Sequence, residues 1–213
     1  MRRERLLRRA ARAASVGLAA TLICAGPSLS APAAPDAPDG QEAVAIRNKP
    51  EVYLLRGFAD VFSDGLNQMG QTLEAQGVEV HVQNHMTWQS VARRIIRDQE
   101  ENGASRVVLV GHSLGANAVI LIAEMLQRRG IAVDQLVTLA ATDPHPVPSN
   151  VRRAVNYYFE TNGWGRPLVP GQGFRGSLVN KDYSGSAEIG HFNIDKQRSV
   201  QAEILSLVSS ALR

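Results

Sequence analysis

The most constraining stretch of the chain is Val107-Val108-Leu109-Val110-Gly111-His112-Ser113-Leu114-Gly115-Ala116. Four apolar, strand-favouring residues run without a gap into Gly-X-Ser-X-Gly, and an apolar segment from Leu114 to Arg129 follows. A strand that is apolar throughout suits the middle of a parallel sheet covered on both faces. A strand that turns straight into a helix strains the central residue of the turn, and the residues two away on either side must lack bulk. Gly111 and Gly115 meet that need, and Ala116 keeps the next contact small. Such a turn lifts the Ser113 hydroxyl above the carboxyl edge of the sheet. It also aims the first N–H groups of the helix at whatever binds there, which suits an oxyanion.

Strands and helices alternate around this segment. Val52–Leu55, Val78–Val82, Leu136–Leu139, Ala154–Phe159 and Leu178–Lys181 read as further strands. Ser63 is placed to cap a helix carrying Leu66, Met69 and Leu73, with Gly77 as its stop, and Thr87 to cap one carrying Trp88, Val91 and Ile95. A closing helix is expected over Ile194–Leu212, with Val200, Ile204, Leu207 and Ala211 inward. The alternation predicts an α/β three-layer sandwich with a mostly parallel sheet of about six strands, where ligands bind beyond the carboxyl ends of the strands.

The 213 residues suffice for one such domain, expected over 49–213. Residues 1–30 read as a secretory signal peptide. Six arginines up to and including Arg12 stand against Glu4, an apolar stretch runs from Ala13 to about Gly26, and Ser28 and Ser30 supply small residues before a cut. The apolar part is too short for an easy membrane span. Residues 31–48 open with Pro and Ala in alternation and read as a tether. The leader carries +5 of a formal net charge of +3, so the remainder stands at −2 and a nucleic-acid partner is not implied. The single cysteine, Cys24, lies in the leader, leaving the folded domain without a disulfide or thiolate metal site. The expected location is periplasmic or secreted.

On Val107–Ala116 and its setting, the chain resembles the α/β-hydrolase superfamily, and within it the compact lipases, esterases and thioesterases. The resemblance spans Val52 to the C-terminus, specific at VVLVGHSLGA and looser elsewhere. It implies Ser113 as nucleophile, followed in chain order by an acid and a histidine. His191, in Gly190-His191-Phe192-Asn193 before the closing helix, stands where the family's base does. His112 lies inside the turn, with its side chain expected to point away from that of Ser113. Two positions compete for the acid: Asp143, directly after the fourth strand and before Pro144, and Glu160, one strand later, with Asp182 a distant third. The oxyanion donors are expected at the N–H of Leu114 and of Phe58, the latter in the Arg56-Gly57-Phe58 loop; each such donor is worth roughly 3 kcal/mol of barrier.

His85 and Trp88, after the second strand, are candidates to line a substrate pocket. So are Trp164 and Phe174, in the Gly/Pro-rich connection Thr161–Ser177. These residues point to hydrolysis of a carboxylic ester or thioester through an acyl-enzyme, with no cofactor or metal required. The short Asp143–Arg153 connection leaves no room for a large lid helix, which favours a small or exposed acyl group over a long triglyceride. Transfer of the acyl group to another acceptor, or an inactive envelope binding module, are the alternatives this sequence leaves open.

Overall fold

The computed structural model describes residues 50–58, 63–161 and 164–213. The expected signal peptide and tether lie outside them. Six strands form one sheet: β1 (Glu51–Arg56), β2 (Glu79–Asn84), β3 (Val107–His112), β4 (Gln135–Leu139), β5 (Arg153–Tyr158) and β6 (Ser177–Asp182). Their order is β2-β1-β3-β4-β5-β6, and every neighbouring pair is parallel. Four helices cover it: α1 (Asp64–Ala75), α2 (Trp88–Asn102), α3 (Leu114–Gln127) and α4 (Arg198–Leu212).

The central strands are apolar throughout because both faces are covered. Val52 and Leu54 of β1 and Val108 and Val110 of β3 pack with Leu66, Met69 and Leu73 of α1 and Val200, Ile204 and Val208 of α4. Their alternates Tyr53, Leu55, Val107 and Leu109 pack on the opposite face with Val91 and Ile95 of α2 and Val119 and Ile122 of α3. Adjacent residues of a strand point to opposite faces, so a strand with α1 and α4 below and α2 and α3 above needs an apolar residue at every position. Each fully buried Leu, Ile or Val contributes about 1.5–3 kcal/mol, which lets the fold stand without a disulfide.

The chain order of strands reverses at β1, whose neighbours are β2 on one side and β3 on the other. In open parallel sheets the crevice for ligands lies at that reversal, outside the carboxyl ends of the two strands. Here those ends lead into Gly57-Phe58 and into Ser113.

The closing helix differs from expectation. Ile194–Lys196 form a short 3-10 turn, Gln197 is extended, and α4 begins only at Arg198. Val208 takes the core position assigned to Leu207, which is partly buried. The expected side-chain caps also differ: neither Ser63 nor Thr87 caps its helix. The Thr87 hydroxyl donates to the Asn84 carbonyl, and Ser63 is engaged elsewhere. No helix among the described residues is long and apolar enough to cross a membrane.

Candidate active site

Ser113 sits between β3 and α3 with φ 56° and ψ −121°, one of two non-glycine residues at positive φ among those described. The packing around it explains the motif. A Cβ on Gly111 would lie 2.2 Å from the Gly115 carbonyl oxygen, and one on Gly115 would lie 2.0 Å from the Leu55 carbonyl oxygen. Any side chain at either position would force the elbow apart. The Ser113 N–H donates to the Leu139 carbonyl at 2.9 Å, tying the strained residue to β4.

His191 reaches Ser113 from the far end of the chain. Its turn is closed by the Gly190 N–H donating to Asn193 Oδ1 at 2.8 Å and by the Ile194 N–H donating to the Gly190 carbonyl at 3.0 Å. His191 Nε2 lies 2.9 Å from Ser113 Oγ, and Nδ1 lies 2.8 Å from the main-chain carbonyl oxygen of Trp164. A carbonyl oxygen only accepts, so Nδ1 carries the proton and Nε2 turns its lone pair to the serine hydroxyl. That is the tautomer a general base needs.

The partner of Nδ1 is therefore a main-chain carbonyl, in place of either carboxylate expected from the sequence. Asp143 is fully solvent-facing and meets Arg166 at 3.4 Å, while its N–H donates to Asn117 Oδ1. It serves as a turn residue before Pro144. Glu160 is exposed, its N–H donating to Asp182 Oδ1 at 3.3 Å. Asp182 also accepts from Ser184, whose hydroxyl first and N–H second hold its carboxyl below the usual range. None of the three is hydrogen-bonded to His191.

The segment that carries the Trp164 carbonyl is held by one main-chain and one side-chain hydrogen bond at Arg166. The Arg166 N–H donates to the Ala141 carbonyl at 2.8 Å, and Asn156 Nδ2 donates to the Arg166 carbonyl at 2.9 Å. Gly165 lies so close to β4's end that a Cβ there would stand 3.0 Å from Ala140 Cα and 3.3 Å from the Phe159 ring.

Phe58, Leu114 and Thr142 line a cavity of about 320 Å³ above Ser113, together with the rings of Trp164, His191 and Phe192. The Phe192 and Trp164 rings stand 4.9 Å and 5.1 Å from the imidazole, both edge-on. Burial pushes the His191 pKa below the ordinary 6.5, outweighing the bond to Trp164, which raises it. With no described carboxylate hydrogen-bonded to it, the His191 ring stays neutral further into acid. The acid limb of kcat/KM is therefore expected below pH 6.5 in a pH–rate profile; a limb above 6.5 would show a buried carboxylate acting on His191.

The loop after β1 lies against the elbow: a Cβ on Gly57 would stand 2.9 Å from Ser113 Cβ. His85, Trp88 and Phe174 do not line the cavity. His85 Nδ1 lies 3.2 Å from the Gly57 carbonyl oxygen. Across a trans peptide the carbonyl and the next N–H point in opposite directions, so this bond sets the direction of the Phe58 N–H. Trp88 and Phe174 pack against the core on the α2–α3 face of the sheet. Sequence reasoning missed Phe192 and Thr142; Phe192 follows the base directly and was bound to share its rim.

Residues 38–152 match the family described as lipase (class 3), which is more than half of the chain. The chain belongs to the class 3 lipase family. It is a hydrolase of the α/β-hydrolase fold, and its solved structural neighbours share that fold at low identity. One is the product of the lin2722 gene of Listeria innocua, at 10% identity and TM-score 0.54, covering 76% of this chain and 94% of that one. Another is the RedJ thioesterase from the prodiginine pathway of Streptomyces coelicolor, at 14% and 0.51, covering 87% and 97%. A cutinase-like protein from Cryptococcus sp. aligns at 15% and 0.49, over 77% and 95%. No curated protein is similar enough in sequence to match. The family match ends at Arg152, before Trp164 and His191.

Proposed function

We propose that this class 3 lipase family protein hydrolyses a carboxylic ester or thioester through an acyl-enzyme on Ser113. The observation that carries the reading is the Ser113–His191 contact in the tautomer fixed by Trp164. Ser113 Oγ attacks the substrate carbonyl carbon as its proton passes to His191 Nε2. The oxyanion is met by the N–H of Leu114, a first-turn group with no acceptor inside its own helix, and by that of Phe58. His191 then gives the proton to the departing alkoxide or thiolate. Water enters, loses a proton to Nε2, and releases the carboxylic acid as Ser113 recovers its own.

The apolar cavity is small for a lipid ester, at the low end of the roughly 300–1,000 Å³ of ligand sites. Short and medium acyl groups are the proposed substrates. A series of p-nitrophenyl esters should show kcat/KM peaking at a short or medium chain. A rise that continues to long chains would overturn this size preference, and no turnover of any ester or thioester would overturn the reading itself.

We also propose that the protein is exported, on the strength of the arginine-rich, apolar and small-residue order of residues 1–30. N-terminal sequencing of the mature protein should begin at Ala31; an intact Met1 end would contradict cleavage.

A further inference from the structure

A chain of buried hydrogen bonds runs beside Ser113, along the wall of the cavity, and joins three segments distant in sequence. The Gly57 N–H donates to Ser63 Oγ at 3.1 Å. Ser63 Oγ lies 2.9 Å from His112 Nδ1, and His112 Nε2 lies 2.7 Å from the carbonyl oxygen of His191. Ser63 and His112 are both almost wholly buried. The direction of every bond follows from the two ends. The His191 carbonyl only accepts, so His112 Nε2 carries a proton. Burial pushes the His112 pKa down to about 4, leaving the ring neutral and Nδ1 bare. The Ser63 hydroxyl must then donate to Nδ1, and its lone pair receives the Gly57 N–H.

We propose that Ser63 and His112 are positioning residues that fix the base loop and the oxyanion loop relative to one another. One end of the relay holds the main chain of His191 itself. The other holds the Gly57 N–H, one peptide before the Phe58 N–H. Between them stands the residue directly before the nucleophile. A second tie runs in parallel: the Gly65 N–H donates to Asp195 Oδ2 at 2.9 Å, and Gly65 leaves no room for a Cβ beside the Asp195 carbonyl. The first turn of α1 is thus clasped by the base loop, and Ser63 is the polar link from that clasp into the site. Neither Ser63 nor His112 donates to the reacting atoms; both act through His191 and Gly57. In a relay of this kind each member polarises and orients the next, and losing one leaves buried groups unpaired.

The inference rests on the hydrolase reading, so its test is normalised to working sites. Active sites in the full chain are titrated with a fluorophosphonate, and kcat and KM for a short p-nitrophenyl ester are measured per titrated site. A purely structural role lowers the number of sites and leaves kcat per site unchanged. Ser63→Ala, which removes one oxygen, and His112→Gln, which keeps a donor but loses the imidazole acceptor, are each expected to lower kcat per site by about tenfold to 100-fold, with KM nearly unchanged. The double variant is expected to be no worse than the poorer single one, because both break the same relay. Unchanged kcat per site in both single variants, or losses that multiply in the double variant, would overturn the proposal. A native protein that takes up no phosphonate would instead overturn the hydrolase reading beneath it.

Discussion

Replacing His191 with Gln is expected to lower kcat by a factor on the order of 10⁴ to 10⁶, the range seen when a serine hydrolase loses its base. No other described group is placed to take the proton. His112 is the nearest other imidazole, at 5.4 Å between ring centroids, and both its nitrogens are engaged, by Ser63 Oγ and the His191 carbonyl. His85 faces the Gly57 carbonyl, and His145 meets Glu124 at the surface. Single-turnover kinetics on an activated ester check the loss at the acylation step. A loss of less than about tenfold would mean that His191 is not the base.

The second large effect is expected at Gly165. Among the described residues no side chain bonds His191 Nδ1; the peptide between Trp164 and Gly165 does. A methyl group at Gly165 would press on the main chain of Ala140, which is itself held at φ 50° and cannot give way freely. The Trp164 carbonyl must then move, and with it the proton on Nδ1. Gly165→Ala is expected to lower kcat by about 100-fold while KM stays close to its native value. Asp143→Asn and Glu160→Gln, by contrast, are expected to leave kcat within about twofold, because surface carboxylates removed from the base contribute little. Measured together, these variants separate the two arrangements. A large loss in either carboxylate variant with a silent Gly165→Ala would restore a side-chain acid.

A carbonyl and a carboxylate differ in what they give the imidazole. Both fix the tautomer. Hydrogen bonds to an ionised partner are roughly twice as strong as neutral ones, so a carboxylate also stabilises the imidazolium as it forms. The arrangement here gives orientation without that charge, which is why the base is held in its neutral form. Asp195, four residues after His191, is the nearest reservoir of negative charge described for it, and it weakly raises the His191 pKa. Burial pushes its own pKa up to about 6, and one carboxyl oxygen is buried without a partner.

These differences mark where the sequence was legible. The elbow could be read because Gly111 and Gly115 are demanded by contacts of about 2 Å, and that demand is written as residue type. The histidine beside Ser113 could be picked out because an imidazole has no ready substitute. The central strands β1 and β3 were legible because apolar residues on both faces leave little other choice. The acceptor on Nδ1 was not legible: every residue carries a carbonyl, so Trp164 left no signature, while Asp143 before Pro144 had the letters of an acid and the position of a turn. Ser63 illustrates the same ambiguity. Its place before α1 is that of a cap, but its hydroxyl is taken by His112 and Gly57. The 3-10 turn at Ile194–Lys196 escaped because its pattern continues that of α4, and only the clasp on α1 separates them.

The most direct test of the account is to react the mature protein with a fluorophosphonate and map the adduct by peptide mass spectrometry. The account predicts one adduct, on Ser113, lost in Ser113→Ala and formed far more slowly in His191→Gln. An adduct on another residue, or an unmodified native protein, would contradict it.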